Sequence, residues 1–310
     1  MNRTKIPWVI NQDGTQGWTW NPGTGCTKGC GYCYARKIAT RFGSGFDNSD
    51  LMPIKAGQAW KANQAMHPAF PFGFEPTVYP HRLDEPMRVK KPSTIFLGSM
   101  GDLFDPAFPD EFVHNVFLTV GFAPWHTFIL LTKQPERMRD FFARDKVPTT
   151  AMPNLYLGVS VTNQADADER IPLLLDTPAV HRFVSVEPML GPIDLTYINA
   201  AALPMNTLAG VRALRKGETK TAHIPALDWV TVGAKTPGKA LHEIAGCSRP
   251  PANCPHDCSS CCWGSESPER LRSLLAQCDE AGVPVYYKHG NGTPEIDGRR
   301  YDAVPWEVTR

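Results

Sequence analysis

From residue 94 onward the chain alternates short apolar runs with amphipathic segments, and few folds satisfy that pattern. The runs are TIFLGS (94–99), HTFILLT (126–132), NLYLGVSV (154–161), HRFVSVE (181–187) and DWVTVGA (228–234). Runs this short, apolar at consecutive positions, predict strands covered on both faces rather than half-exposed ones. Between them lie helix-like segments: 109–122 with a stripe of Phe112, Val113, Val116, Phe117 and Val120, then 135–143 and 165–176. Strands separated by helices of this size predict βα units and a parallel sheet. WTW (18–20) adds a first strand and PVYYKH (284–289) a last, giving six or seven. Right-handed crossovers between neighbouring strands make a partial or complete β/α barrel the economical arrangement, so the expected fold class is α/β.

Three other spans organise the rest of the chain. Residues 44–93 are rich in Gly, Pro and aromatics without a helical or strand period, and read as a long irregular excursion within a core of 1–235. Residues 236–268 break the βα pattern with cysteines among Pro, Ser and Gly, and read as an insertion. Residues 269–310, opening with the amphipathic LRSLLAQCDEAG, supply a closing helix and strand. A chain of 310 residues buries a core without staples. Neither a membrane-length apolar stretch nor a signal-like N-terminus is found, so a cytoplasmic location with no membrane partner is expected. The 32 basic and 31 acidic residues leave a net charge of +1, so overall charge neither demands nor excludes a nucleic-acid partner.

A barrel of this kind places its chemistry at the C-terminal ends of its strands. Those positions are pointedly polar: Cys26, Cys30 and Cys33, then Ser99 and Asp102, Thr132 and Lys133, Ser160 and Thr162, Glu187, and Lys235. Any single Ser, Thr or Asp among them reads equally well as a helix cap or turn residue. In GCTKGCGYCYA (25–35) the spacing C-x3-C-x2-C brings three thiols to one side of a short loop. A structural zinc wants four protein ligands, and no fourth Cys or His lies in this stretch. Three thiolates suit a 4Fe-4S cluster with one open iron, and a zinc site completed from a distance is the alternative.

CTKGCGYC, with the aromatic Tyr32 before the last cysteine, resembles the signature of the radical S-adenosylmethionine superfamily. TWNPGTGC, SMGDLFD, LTKQPERM, LGVSVTN, RIPLL, FVSVEPMLGPIDL, DWVTVG and AGVPVYYKHG extend the resemblance to an uncharacterised, phage-borne branch of it. The strand-end Ser and Lys residues are also similar to those of spore photoproduct lyase. The resemblance implies that Cys26, Cys30 and Cys33 ligate a 4Fe-4S cluster and that Tyr32 packs beside the adenine of S-adenosylmethionine. It implies further that Ser99 and Asp102 hold the methionine amino group, Lys133 its carboxylate, and Ser160 with Thr162 the ribose. Glu187 would bind ribose, an amino group or substrate. The chemistry implied is formation of a 5′-deoxyadenosyl radical that abstracts hydrogen from substrate, with flavodoxin or ferredoxin as the kind of one-electron reductant required. The sequence departs from its branch at GAKTPG, where Lys235 replaces an acid and hints at an anionic substrate. A phage-borne enzyme would work in the host cytoplasm.

CSRPPANCPHDCSSCCW repeats C-x3-C-x2-C at Cys254, Cys258 and Cys261, with Cys247 as a fourth ligand and Cys262 beside the last. Four thiolates suit a second 4Fe-4S cluster or a zinc ion. Cys278, on the apolar side of a helix, reads as core. Basic residues gather in RVKK (88–91) and RALRKGETK (212–220), and aromatics are dense in 60–80, as in surfaces that track a phosphate backbone and stack on bases. With the resemblance, they point to a base in phage DNA as substrate, for a rearrangement of isomerase or lyase type. A peptide or small molecule is the alternative substrate, and a metal-dependent binding module the alternative to an enzyme.

Overall fold

The computed structural model describes residues 1–43, 60–61, 70–144, 152–200, 203–213, 222–233, 268–288 and 294–306. The chain divides into two compact units, Met1–Leu157 with Thr177–Val180 and Val308–Arg310, and Gly158–Asp176 with His181–Glu307.

The first unit contains strands β1 (Asn2–Arg3), β2 (Trp18–Trp20) and β3 (Gly23–Thr24), helix α1 (Tyr34–Gly43), strands β4 (Trp60–Lys61) and β5 (Thr77–Val78), and the short helix α2 (Glu85–Arg88). Then β6 (Thr94–Leu97), α3 (Asp110–Phe122), β7 (Thr127–Thr132) and α4 (Pro135–Arg144) alternate up to β8 (Leu155–Val161), whose residues from Gly158 onward belong to the second unit. Its main sheet runs β1-β2-β6-β7-β8, and β3, β5 and β4 form a small sheet of their own. β2 pairs in parallel with β6, and β6 with β7, while β1 is antiparallel to β2. All four side chains of β6 are buried, as strands covered on both faces require. The stripe predicted on 109–122 is the buried face of α3. There Phe117 meets Phe104, Phe141 and Phe142 with ring centroids 4.8 to 6.0 Å apart, fastening α3 and α4 into one aromatic cluster.

The second unit contributes α5 (Gln164–Asp176), β9 (His181–Val186), the short strands β10 (Met205–Asn206), β11 (Val211–Arg212) and β12 (Ala222–His223), then β13 (Trp229–Gly233), α6 (Pro268–Ala281), β14 (Val285–Lys288), β15 (Glu295–Ile296) and β16 (Arg299–Arg300). The main order here is β8-β9-β13-β14, with β13 parallel to both β9 and β14. α6 turns Leu271, Leu274, Leu275 and Cys278 inward. Burial pushes the Cys278 thiol up to about 12, so it stays a neutral apolar group of the core.

The chain is thus mixed α/β with a largely parallel sheet, and the apolar runs of the sequence are its strands. Lys235, Cys247, Cys254, Cys258, Cys261 and Cys262 lie outside the described residues, as does most of the 212–220 basic run. Among the described residues no helix is long and apolar enough to cross a membrane.

Candidate functional site

The three-cysteine loop leaves β3 and is pinned at both sides. Gly25 forms a parallel bridge with Gly101, the Gly25 N–H donating to the Met100 carbonyl at 2.9 Å and the Asp102 N–H to the Gly25 carbonyl at 3.4 Å. The approach needs bare backbone. Gly25 has φ +88°, and a Cβ on Gly101 would stand 2.6 Å from the Gly25 oxygen. One residue beyond Cys26, Thr27 gives both its N–H (2.7 Å) and its hydroxyl (2.8 Å) to one carboxylate oxygen of the fully buried Asp105. Lys28 reaches the Lys133 carbonyl at 2.9 Å, tying the loop to the end of β7.

Cys26, Cys30 and Cys33 are free thiols, each half-buried. Backbone N–H groups already address two of the sulfurs: Lys28 to Cys26 Sγ and Arg36 to Cys33 Sγ, both at 3.4 Å. Such donors stabilise thiolates that carry a metal. With no metal bound, burial pushes the Cys26 thiol up to about 12; the Lys28 N–H opposes this, and Asp102 and Asp105 add to it. Among the described residues no three His, Cys, Asp or Glu side chains converge as ligands of a single metal ion. Around one zinc, sulfurs at 2.3 Å would stand about 3.8 Å apart. A cubane does not ask for that convergence, because its cysteines sit on separate irons. The donor set fits such a cluster: three half-buried thiols on one short loop, with amides turned toward the sulfur.

Around the loop the first unit gathers the other residues singled out from sequence. Tyr32 lies under Lys133, whose ammonium stands 5.5 Å from the ring centroid. Ser99 exchanges hydrogen bonds with Asn21 at 3.1 and 3.3 Å, Asn21 also accepts the Met100 N–H at 2.9 Å, and the Tyr34 hydroxyl donates to the Ser99 carbonyl. Asp102 is buried, and its carboxylate accepts the Thr132 hydroxyl (2.7 Å), the Lys133 N–H (2.8 Å) and the Phe104 N–H (3.1 Å). Burial raises its pKa against the pull of these donors. Asp102 therefore clamps the ends of β6 and β7 together, and Thr132 caps the entry to α4 through the Gln134 N–H.

In the second unit Thr162 braces the start of α5, whose N-cap is Asn163. The Thr162 N–H and hydroxyl both go to Asp166, while the Asn163 side chain accepts the Asp166 N–H, closing the first turn of α5. Ser160 lies buried at the end of β8, 3.5 Å from the Glu187 carbonyl. Glu187 pairs with Lys288 at 3.0 Å, joining the ends of β9 and β14. Of the RVKK patch, Arg88 is held by Asp84 and Lys91 by Asp13, each at 2.7 Å. On α1 Arg36, Lys37 and Arg41 are exposed and no acid is present, Arg36 lying over the Phe74 ring.

The profile of a protein family described as a protein of unknown function (DUF5131) matches residues 3–249. The chain belongs to the DUF5131 family. No curated protein and no solved structure matches it. The span shared with DUF5131 holds the three-cysteine loop and every strand end from Ser99 to Glu187, and stops before Cys254, Cys258, Cys261 and Lys288.

Sequence reasoning passed over Asn21, Asp105 and Lys288. Asn21 and Asp105 stand inside the conspicuous strings TWNPG and GDLFD, but their partners lie 78 residues away. Lys288 ends its strand as Lys133 follows its own, a signal the alternation of the chain offered.

Proposed function

We propose that this DUF5131 chain is a radical S-adenosylmethionine enzyme, its strands forming a partial (β/α)6-type barrel of that superfamily. The observation that carries the reading is the three-thiol loop clamped by Asp105 and Gly101 beside the ends of β6 and β7. Cys26, Cys30 and Cys33 would hold a 4Fe-4S cluster with one iron open to S-adenosylmethionine. When bound, the two cofactors supply abstraction of a hydrogen atom from an unactivated carbon of the substrate. Lys133, a point charge stacked on Tyr32, suits the methionine carboxylate, and Asn21 sets the Ser99 turn that would hold the amino group. Asp102 acts as a positioning residue, since three donors of the scaffold already share its two oxygens. Ser160 and Glu187 are the remaining candidates for ribose, with Thr162 engaged by Asp166.

The substrate we favour is a thymidine-type base in DNA, extruded from its stack and rearranged or cleaved. The acid-free cationic face of α1, beside the cysteine loop, supports this more than RVKK does, because the acids next to Arg88 and Lys91 offset them. Cys247, Cys254, Cys258 and Cys261 would bind a second 4Fe-4S cluster or zinc, and flavodoxin or ferredoxin would supply the electron.

The test is anaerobic reconstitution with iron, sulfide, reductant and S-adenosylmethionine. Iron and zinc are counted and 5′-deoxyadenosine is measured in wild type, Cys30→Ala and Cys254→Ala. We expect 5′-deoxyadenosine from wild type and none from Cys30→Ala, with iron lost in proportion to one cluster. An iron-loaded, reduced wild type that forms none would overturn the proposal. Binding of duplex and single-stranded DNA that does not weaken with salt, or no binding, would overturn the substrate.

A further inference from the structure

One face of the second unit's sheet changes character along its strands. Parallel pairing sets Phe183 beside Trp229, then Ser185 beside Thr231 and Thr231 beside Tyr286, then Gly233 beside Lys288. Side chains two apart in a strand share a face, so these pairs form three rows. The lowest row is aromatic, with the rings of Phe183 and Trp229 5.2 Å apart and Trp306 edge-on to Trp229 at 5.4 Å. The middle row is hydroxylic and buried throughout: Ser185, Thr231 and Tyr286. The upper row is charged, Glu187 meeting Lys288 across Gly233, where a Cβ would lie 3.0 Å from the Glu187 carboxyl carbon and 3.2 Å from Lys288 Cβ.

Thr231 decides what this face is for. It is wholly buried, and its hydroxyl oxygen has no hydrogen-bond partner. Valine has nearly the same shape without the penalty of an unmet hydroxyl, so a fold concerned only with packing gains nothing from threonine there. A hydroxyl waiting in the middle row, below an ammonium in the upper row, suits a ligand with an anionic end and a polar atom further in. Glu187 takes one of the three donors of the Lys288 ammonium and fixes its direction.

We propose that this face is a substrate pocket in which Lys288, steered by Glu187, anchors an oxyanion of the ligand, a phosphate ester or a carboxylate, while the Thr231 hydroxyl bonds a polar atom below it. The assignment rests on the radical reading for what becomes of the ligand, and not for the binding.

The full chain is titrated calorimetrically with inorganic phosphate and with acetate, as wild type, Lys288→Met, Thr231→Val and the double variant Glu187→Gln, Lys288→Met. The double variant removes both charges together and guards against a fold upset by a stranded carboxylate. Wild type binds at least one anion, and both Lys288 variants weaken it about tenfold or more, as loss of a charge-assisted contact requires. Phosphate without acetate identifies a phosphate ester, and acetate without phosphate a carboxylate. Thr231→Val melts at or above the wild-type temperature, because its hydroxyl serves the ligand and not the fold. The assignment fails if wild type binds neither anion, if the double variant binds as wild type does, or if Thr231→Val melts lower. Iron content read on the same samples separates the proposals: anion binding without iron rejects the cluster alone, and iron without anion binding rejects the pocket alone.

Discussion

Asp105 is the single side chain on which the placement of the cysteine loop most depends, and replacing it with asparagine isolates that dependence. One carboxylate oxygen accepts the Thr27 N–H and hydroxyl at 2.7 and 2.8 Å, and the other accepts the Ala107 N–H at 3.1 Å. An amide keeps one acceptor oxygen and presents a donor in place of the other. Turned one way it strands the Thr27 N–H, and turned the other way the Ala107 N–H. These donors are part-buried, and losing a hydrogen bond there to a charged acceptor costs about 1–3 kcal/mol. At about 1.4 kcal/mol per factor of ten, that is roughly a fivefold to hundredfold loss of local protection. Hydrogen exchange of the metal-free full chain, followed in a peptide covering 25–34, reads the loss where it occurs, without requiring both units to unfold together. Thr27→Val, which removes the hydroxyl and keeps the N–H, should produce a smaller change in the same peptide. If Asp105→Asn leaves the protection of that peptide within about twofold of wild type, the clamp described above does not hold the loop.

Two further outcomes follow from the packing of the first unit. Gly101→Ala would drive a Cβ to 2.6 Å from the oxygen and 2.9 Å from the nitrogen of Gly25, backbone atoms that cannot rotate aside. It should cost about 1–3 kcal/mol, seen as a lower melting temperature, and an unchanged melt would refute the close approach. His126 is buried with Nδ1 accepting the Ser93 N–H and Nε2–H donating to the Pro86 carbonyl, and burial lowers its pKa below the usual 6.5. The unfolded chain takes up a proton near that value while the folded chain does not. The stability contribution is therefore complete above about pH 6.5 and is lost as pH falls toward the folded value, with a slope approaching about 1.4 kcal/mol per pH unit. Denaturation at about pH 7.5 and about pH 5.5 should show a smaller fall for His126→Gln than for wild type, and equal falls would refute this.

The strands could be read from sequence because apolar residues on both faces leave little else for a short run to be. The run at 154–161 became β8 at Leu155–Val161, and the run at 181–187 became β9 at His181–Val186. The cysteine loop was equally plain from its spacing. What could not be read is which polar residues serve the scaffold. Thr162 and Asp102 are the same kinds of residue at the same kind of place as Ser160 and Glu187. Only the structure reveals that Asp166 absorbs the first and three scaffold donors the second. Such assignments depend on neighbours supplied by distant segments, as when Lys288 meets Glu187 across 101 residues. Ser185 and Thr231 left a faint trace, one hydroxyl in the middle of each otherwise apolar run, whose meaning appears only when the register aligns them.

Helix α1 follows Cys33 directly, and of its described side chains only Ala35 and Ala39 are buried, which amounts to less than about 2 kcal/mol of apolar burial. Among the described residues its attachments lie in its first turn: the Tyr34 hydroxyl on Ser99, and Arg36 on the Cys26 carbonyl and over the Phe74 ring. A first turn held by the loop that precedes it draws part of its order from that loop. The order of the cysteine loop and that of this turn are therefore coupled, and whatever fills the loop steadies the start of the helix.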